Sequence, residues 1–213
     1  MRVHVGIPTH DGKVHRECLV GLLSAWSRIP LVVNVVQGSF LPRLRDRIVR
    51  DFLKDPHGTH LLCVDSDMEW NVKHLALLLE LDVDFAFGLY VLKHASRPLA
   101  CSRRLSTELR KVDGGEAFVD RYDRCGAGFV LLRRAALERM VEAYADEAYE
   151  LEGERFVGLW QTSGRSELDG KVVAEGEDYA FCRRWRALGG EIACRRDVAL
   201  GHVAQEVLRP RLA

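Results

Sequence analysis

Residues 60–68 read HLLCVDSDM, an almost uniformly apolar run that ends in two aspartates. The apolar part has the composition of a central strand of a parallel sheet, which is buried on both faces. In open α/β sheets ligands bind at the carboxyl ends of the strands, and Asp65 and Asp67 stand at such an end. Alternation along an extended segment would point both carboxylates to one side. Two such oxygen donors suit Mn²⁺ or Mg²⁺, and an ion held there can bridge to the oxygens of a diphosphate.

The D-x-D spacing has little specificity by itself. Asp82-Val83-Asp84 repeats it, but that triplet precedes a strand instead of ending one, which predicts a solvated turn. For Asp65 and Asp67, a purely structural role, such as capping the helix that starts near Asn71, is the alternative to metal binding.

Strand and helix patterns alternate on both sides of this stretch. The predicted strands are Val3–Ile7, Leu31–Val36, Phe85–Val91, Phe129–Leu132 and Glu191–Cys194, of which Leu31–Val36 is expected to be buried. The predicted helices are 14–28, Leu41 to Phe52, a helix capped by Asn71, Ala135–Tyr144 and Glu177–Leu188. Pro42 lies in the first turn of the second helix, and Gly189-Gly190 ends the last one. Residues 96–124 suggest a hairpin and residues 146–173 a long mobile loop. This order predicts a single α/β, Rossmann-like domain with a mainly parallel central sheet, helices on both faces and a small antiparallel addition.

Composition narrows the class of protein. The chain has 213 residues, with Lys plus Arg and Asp plus Glu at 31 each, whereas proteins that bind nucleic acid normally carry a basic excess. A local cluster of arginines could still bind a small anion; its members are Arg43, Arg45, Arg47 and Arg50.

No run approaches the roughly 20 apolar residues of a membrane helix, and the start of the chain is typical of a strand and not of a signal peptide. The six cysteines form no C-x-x-C pair, which favours reduced thiols and a cytoplasmic location.

Seven segments in order resemble the GT-A glycosyltransferases, especially small bacterial and viral members similar to family 2. They are Val5–Thr9, Leu44–Arg47, residues 60–68, Gly88–Tyr90, Cys125–Leu131, Glu177–Cys182 and Gly201-His202. The resemblance implies one GT-A domain over 1–213, with a nucleotide-binding half at about 1–95 and an acceptor-binding half at about 96–213. It also implies a nucleotide-sugar donor, with a UDP-sugar as the first expectation, and a glycan or other hydroxyl acceptor.

The resemblance also implies roles for individual residues. Pro8 and Thr9, with His10 beside them, would line the nucleotide pocket, and Arg45 or Arg47 would face the base, ribose or phosphates. Asp65, next to Ser66, would contact the ribose or the metal shell, Asp67 would ligate Mn²⁺ or Mg²⁺, and His202 would be the second protein ligand. The acceptor would lie against Gly126, Ala127 and Gly128, where glycine lets backbone approach closely. Asp178 would be the general base, with Glu177 as its neighbour. The chain departs from the family at Asp46, where Asn often follows the arginine.

The chemistry of sugar transfer needs charge stabilisation on the leaving diphosphate and a base for the acceptor hydroxyl. Asp178, in the first turn of a helix, would have its pKa lowered by the dipole and stay ionised; the alternative is that the Glu177-Asp178 pair only complements that dipole. A base opposite the leaving group favours inversion at the anomeric carbon.

Trp160 has two possible roles: it either stacks on a sugar or anchors its loop. The rival classes are a nucleotidyltransferase, although the loop after the first strand lacks Gly-rich phosphate-binding chemistry, a phosphatase with an aspartate nucleophile, and a non-catalytic nucleotide-sugar-binding module.

Overall fold

Strands and helices alternate along the chain in nearly the predicted order. The computed structural model describes residues 1–94, 96, 98–112, 115–168, 171–204 and 207–208. The described helices are α1 (Arg16–Trp26), α2 (Leu41–Lys54), α3 (Val72–Glu80), α4 (Arg134–Ala143) and α5 (Glu177–Ala187), with a 3₁₀ turn at Ala145–Glu147. The described strands are β1 (Val3–Thr9), β2 (Leu31–Gln37), β3 (His60–Val64), β4 (Met68–Glu69), β5 (Phe85–Leu89), β6 (Arg104–Val112), β7 (Gly115–Tyr122), β8 (Phe129–Arg133), β9 (Ala148–Leu151), β10 (Glu154–Val157), β11 (Arg165–Leu168), β12 (Lys171–Ala174), β13 (Ala193–Ala199), β14 (Gly201–Val203) and β15 (Val207–Leu208).

The central sheet has eight strands in the order β2-β1-β3-β8-β5-β13-β7-β6. β1 pairs in parallel with β2 and β3, and β5 with β13. β8 runs antiparallel to both of its neighbours, and β7 does the same. Six strands therefore point one way, with β7 and β8 reversed. The α/β prediction is confirmed, and its mainly parallel sheet is better described as mixed.

Helices cover both faces of this sheet. On one face α2, α4 and α5 bury residues such as Phe52, Met140 and Trp185 in one apolar cluster. On the other face α1 and α3 contribute Leu22 and Leu78 to a second cluster. The sheet is therefore sandwiched as the repeated β-α-β pattern predicts.

Local signals in the sequence set the ends of the helices. The Asn71 side chain accepts hydrogen bonds from the backbone N–H groups of Lys73 and His74, at 2.9 and 3.4 Å, and so caps α3. Pro42 occupies the first turn of α2, where its missing N–H has no cost. Gly189 follows α5 with a φ of +80°, the left-handed conformation that glycine tolerates best.

Two predictions of local structure were wrong. Leu31–Val36 was expected to be buried, but β2 is an edge strand with β1 as its one neighbour, and Val32 and Val35 are exposed. Residues 146–173 were expected to form a long loop, but they contain the β9–β10 and β11–β12 hairpins, with residues 169–170 outside the described part. The hairpin expected within 96–124 is confirmed as β6–β7, which extends the central sheet.

All six cysteines are free, and all except Cys101 are buried, as the sequence predicts. Among the described helices, none combines the length and apolar character needed to cross a membrane.

Candidate functional site

A pocket of about 260 Å³ opens where β1 and β3 end. Its walls include the loop after β1, the turn before α2, the segment after β3 and a side chain from β14. The lining residues are Pro8, Thr9, His10, Gly38, Ser39, Leu41, Leu44, Asp65, Ser66, Asp67 and His202. Seven of the residues predicted for nucleotide or metal binding therefore meet in one place, although His202 is far from the others in sequence.

The segment that carries the two aspartates is a tight turn, not the extended strand expected from the sequence. The Met68 N–H donates to the Asp65 carbonyl at 3.1 Å. Neighbouring elements hold the turn from outside, because the carbonyls of Ser66 and Asp67 accept hydrogen bonds from the His15 and Val203 N–H groups at 2.9 and 2.8 Å. Both carboxylates still line the same pocket, so the predicted juxtaposition holds for a different geometric reason.

Asp67 and His202 lie next to each other in this pocket. His202 Nε2 lies 3.5 Å from Asp67 Oδ1. The other ring nitrogen, Nδ1, lies 2.8 Å from the Val91 carbonyl; because a carbonyl can only accept, Nδ1 carries the proton of the neutral ring. Nε2 is the ring nitrogen that faces Asp67. It donates to the carboxylate when the ring is protonated, and in the neutral ring it has the lone pair that a metal ion could take, the arrangement that metal-binding histidines adopt.

The surroundings of Asp67 strongly favour its ionised form. Burial raises the pKa of Asp67, but hydrogen bonds from His202 and Lys93 outweigh burial and lower the pKa to about 2. Burial lowers the pKa of His202, whereas Asp67 and the Val91 carbonyl raise it above its ordinary value. Asp67 is therefore an ionised oxygen donor at any pH near neutrality.

The donor set fits a divalent cation that also binds substrate. Two ligand atoms at about 2.1 Å from one ion lie about 3.0 to 3.4 Å apart for octahedral to tetrahedral angles, close to the 3.5 Å between Asp67 and His202. Within the described residues no group of three or more His, Cys, Asp or Glu side chains is placed to hold a metal. Mg²⁺ commonly takes one or two protein ligands and completes its shell with water and substrate phosphates, so two protein ligands are compatible with such a site.

Arg45 lies behind the pocket and does not line it. Its side chain is 2% exposed, and Nη2 donates to Asp65 Oδ1 at 2.7 Å. Nη1 donates to the Ala127 carbonyl at 3.4 Å, and Nε lies 3.7 Å from Glu177 Oε1. Arg45 therefore links the aspartate turn to α5. Arg47, the other arginine expected to face the nucleotide, is half-buried on α2 and is not among the pocket-lining residues either.

Asp178 has the opposite pKa shift from the one predicted. Burial is the main cause that raises the pKa of Asp178 to about 6, and the neighbouring Glu177 adds to it. The Tyr179 N–H, which donates to Asp178 Oδ1 at 2.8 Å, and Arg45 lower the pKa but do not outweigh burial. The helix dipole is thus the weaker effect here. A carboxylate with a pKa near 6 is ionised at pH 7 and has the strength that suits a general base.

The Gly126-Ala127-Gly128 segment is buried, and its glycines serve packing against Tyr90. A Cβ on Gly126 would lie 2.2 Å from the Tyr90 hydroxyl oxygen, and one on Gly128 would lie 2.8 Å from it. The Gly128 N–H donates to that hydroxyl at 3.0 Å, and the Gly128 carbonyl accepts from the Asp65 N–H at 3.0 Å. The segment predicted to contact the acceptor therefore forms the floor under the aspartate turn.

Trp160 is 1% exposed and stacks on Phe181, with ring centroids 4.0 Å apart. Of its two proposed roles, anchoring of the loop matches this placement, because a buried ring has no free face for a sugar. Asp82 and Asp84 are exposed just before β5, so the second D-x-D lies in a solvated turn as predicted.

Sequence reasoning missed the contacts of two residues, Lys93 beside the pocket and Asp46 on α2. Lys93 forms an ion pair with Asp67 Oδ2, and no periodicity around residues 92–94 indicates it. Asp46 is 2% exposed and accepts hydrogen bonds from Tyr149, Trp160 and Gln161. A signal for Asp46 existed, because it departs from the asparagine common in the family.

Comparison with known proteins gives a fold but no family. No protein-family model matches the chain, and no curated protein matches it. Among solved structures, A197 from STIV aligns with 100% of this chain and 96% of its own, at 17% identity and a TM-score of 0.60. TarS 1–349 from S. aureus aligns with 92% of this chain and 58% of its own, at 14% identity and a TM-score of 0.46, which is too low to support an argument. The likeness to A197 concerns the fold alone, and the architecture is consistent with a GT-A-like fold.

Proposed function

We propose that this protein is a metal-dependent glycosyltransferase that moves a sugar from a nucleotide-diphosphate sugar to an acceptor hydroxyl. The observation that carries the proposal is the pairing of Asp67 and His202, 3.5 Å apart, in a pocket at the carboxyl ends of β1 and β3. That edge of an α/β sheet is where such folds bind nucleotides.

The charges of the pocket support a metal requirement. Asp65 and Asp67 line it, and its lining residues include no lysine or arginine. Each carboxylate is already paired with a cation outside the lining, Asp65 with Arg45 and Asp67 with Lys93. The lining therefore offers a diphosphate no unpaired ammonium or guanidinium, and a bound metal ion would serve as the bridge. A bound Mn²⁺ or Mg²⁺ would supply that bridge and stabilise the charge that develops on the leaving diphosphate.

The remaining pocket residues are assigned by position, and Asp178, which is not among the lining residues, by its chemistry. Pro8, Thr9 and His10 would bind the nucleoside, and Ser66 with Asp65 Oδ2 would bind the ribose. Asp178 would accept the proton of the acceptor hydroxyl, since its pKa of about 6 leaves it ionised at neutral pH. Attack from the side of Asp178 would invert the anomeric carbon. A UDP-sugar is the first donor to test.

Isothermal titration of UDP into the protein tests the donor site. We expect Mn²⁺ to strengthen UDP binding by about tenfold or more and EDTA to abolish the gain, with Asp67→Ala and His202→Ala both losing it. Asp84→Ala is the matched control, because it removes an exposed carboxylate from the other D-x-D triplet. Equal UDP affinity with Mn²⁺ and with EDTA would refute the metal requirement.

Turnover separates the transferase from its rivals. Incubation with UDP-sugars and Mn²⁺ should release UDP slowly by hydrolysis, in an Asp178-dependent way. Pyrophosphate release from UTP and a sugar phosphate would instead indicate a nucleotidyltransferase, and tight binding without turnover a non-catalytic module. If UDP, GDP and dTDP all fail to bind with metal, the transferase assignment is wrong.

A further inference from the structure

Lys93 lies in a turn whose base is fixed against the rest of the site. Val91 and Leu99 form an antiparallel bridge, and the Leu92 N–H donates to the Pro98 carbonyl at 2.8 Å. The Ala100 N–H donates to the Tyr90 carbonyl at 2.9 Å. The residues on both sides of Lys93 are therefore held in place, and its ammonium reaches Asp67 Oδ2.

Asp67 is shared between two partners on its two oxygens. Oδ1 faces His202 Nε2, and Oδ2 pairs with Lys93. The same turn orients the histidine, because the Val91 carbonyl accepts from His202 Nδ1. Lys93 thus contacts the carboxylate that would ligate the metal, on the oxygen opposite the imidazole.

A divalent cation on Asp67 and an ammonium on the same carboxylate repel each other. Lys93 has a way to relieve that repulsion, since its side chain is 39% exposed and is more accessible than that of Asp67, at 23%. Lysine is a compact charge on a flexible stem with three rotatable donors, and lysine is a common ligand of phosphate oxygens. A diphosphate bound to the metal would add negative charge, and the ammonium of Lys93 could move from Asp67 to one of its oxygens.

We propose that Lys93 is a diphosphate-binding residue of the donor site, which pairs with Asp67 before the donor arrives and contacts a phosphate oxygen once metal and nucleotide are bound. This assignment rests on the proposed function. Of the two cations paired with the pocket's aspartates, Lys93 is the one free to move, because Arg45 is fixed to Asp65 and Ala127 behind the pocket.

The test compares Lys93→Met, which keeps most of the stem, with Lys93→Arg, which keeps the charge. Lys111→Met on β6 is the control, since Lys111 is exposed and lies on the hairpin. Calorimetry measures Mn²⁺ affinity without nucleotide, then UDP and uridine affinity at saturating Mn²⁺.

Lys93→Met should bind Mn²⁺ alone more tightly, by a few-fold to about tenfold, because the competing ammonium is gone. The same variant should bind UDP about tenfold or more weakly, while uridine, which lacks phosphate, binds as to the wild type. Lys93→Arg should recover most of the UDP affinity, and Lys111→Met should match the wild type throughout.

Two results would overturn the assignment while leaving the proposed function intact. Unchanged UDP affinity in Lys93→Met would mean that Lys93 does not touch the diphosphate. Weaker binding of Mn²⁺ alone would mean that Lys93 positions Asp67 instead of competing for it. Failure of the wild type itself to bind UDP with Mn²⁺ overturns the proposed function first, and the role of Lys93 with it.

Discussion

Replacement of Asp46 by asparagine tests how burial controls the charge of a carboxylate on α2. Asp46 Oδ1 accepts from the Trp160 N–H at 3.1 Å, and Oδ2 accepts from Tyr149 and Gln161 at 3.0 and 2.7 Å. An asparagine amide can keep these partners, if its oxygen faces Trp160 and the Gln161 amide flips so that its own oxygen accepts. The substitution therefore removes the charge while leaving the shape and most of the hydrogen bonds.

The magnitude follows from the pKa of Asp46. Burial raises that pKa from 3.8 to about 6, although the three hydrogen bonds act to lower it. At about 1.4 kcal/mol per pKa unit, the ionised form is ~3 kcal/mol less favourable in the folded chain than in the unfolded one. Because the folded state holds its proton more tightly, the contribution is fully present below pH 3.8 and is lost as pH rises through about 6.

Urea unfolding, followed by tryptophan fluorescence between pH 4 and pH 7.5, measures this effect. We expect the free energy of unfolding of Asp46→Asn, relative to wild type, to rise by about 2–2.5 kcal/mol from pH 4 to pH 7, since part of the wild-type contribution is already lost at pH 4. Asp51→Asn, on the same helix but partly exposed, controls for the loss of a carboxylate. If the free energies of unfolding of wild type and Asp46→Asn changed in parallel with pH, the argument from burial would be refuted.

Three further outcomes are expected. The kcat/KM of sugar transfer or donor hydrolysis should fall about tenfold per pH unit below pH 6 as Asp178 is protonated; a flat profile down to pH 5 would exclude it as the base. Gly126→Ala should lower the free energy of unfolding by about 1–3 kcal/mol in urea titrations, because its Cβ would lie 2.2 Å from the Tyr90 hydroxyl, and the loss should be smaller in a Tyr90→Phe background. Trp160→Ala should cost about 3–5 kcal/mol, whereas Trp26→Ala, at a 61% exposed position, should stay within about 0.5 kcal/mol; similar values for the two would contradict the buried anchor.

Much of the fold and of the candidate pocket could be predicted because strong local signals coincide there. The apolar run before Asp65 forms β3, and the carboxyl ends of neighbouring parallel strands meet at one edge of a sheet. That rule, together with the ordered motifs, brought Pro8, Asp67 and His202 to the same pocket. Asn71 was identifiable as a cap because its side-chain chemistry acts within one turn of helix.

The remaining features depend on contacts between distant segments, which a local pattern does not encode. The β-branched composition of Leu31–Val36 is the same for a central and an edge strand, so burial of β2 could not be read from it. Asp46 looks like a solvated helix residue until Tyr149 and Gln161 fold over it. The pKa of Asp178 was predicted in the wrong direction, because the dipole of α5 is visible in the sequence whereas desolvation is not.

The short strand that carries His202 can open independently of the central sheet, so the pocket can have a lower local stability than the rest of the fold. β14 pairs with the two-residue β4 through Gly201–Glu69 and His202–Met68, and the Val203 N–H donates to the Asp67 carbonyl. So small a ladder can open as a cooperative unit without disturbing the eight-stranded sheet. Hydrogen exchange of the Val203 amide should then be much faster than that of Leu62 in β3. Pairing of His202 with Asp67 would then be a late, reversible step of folding.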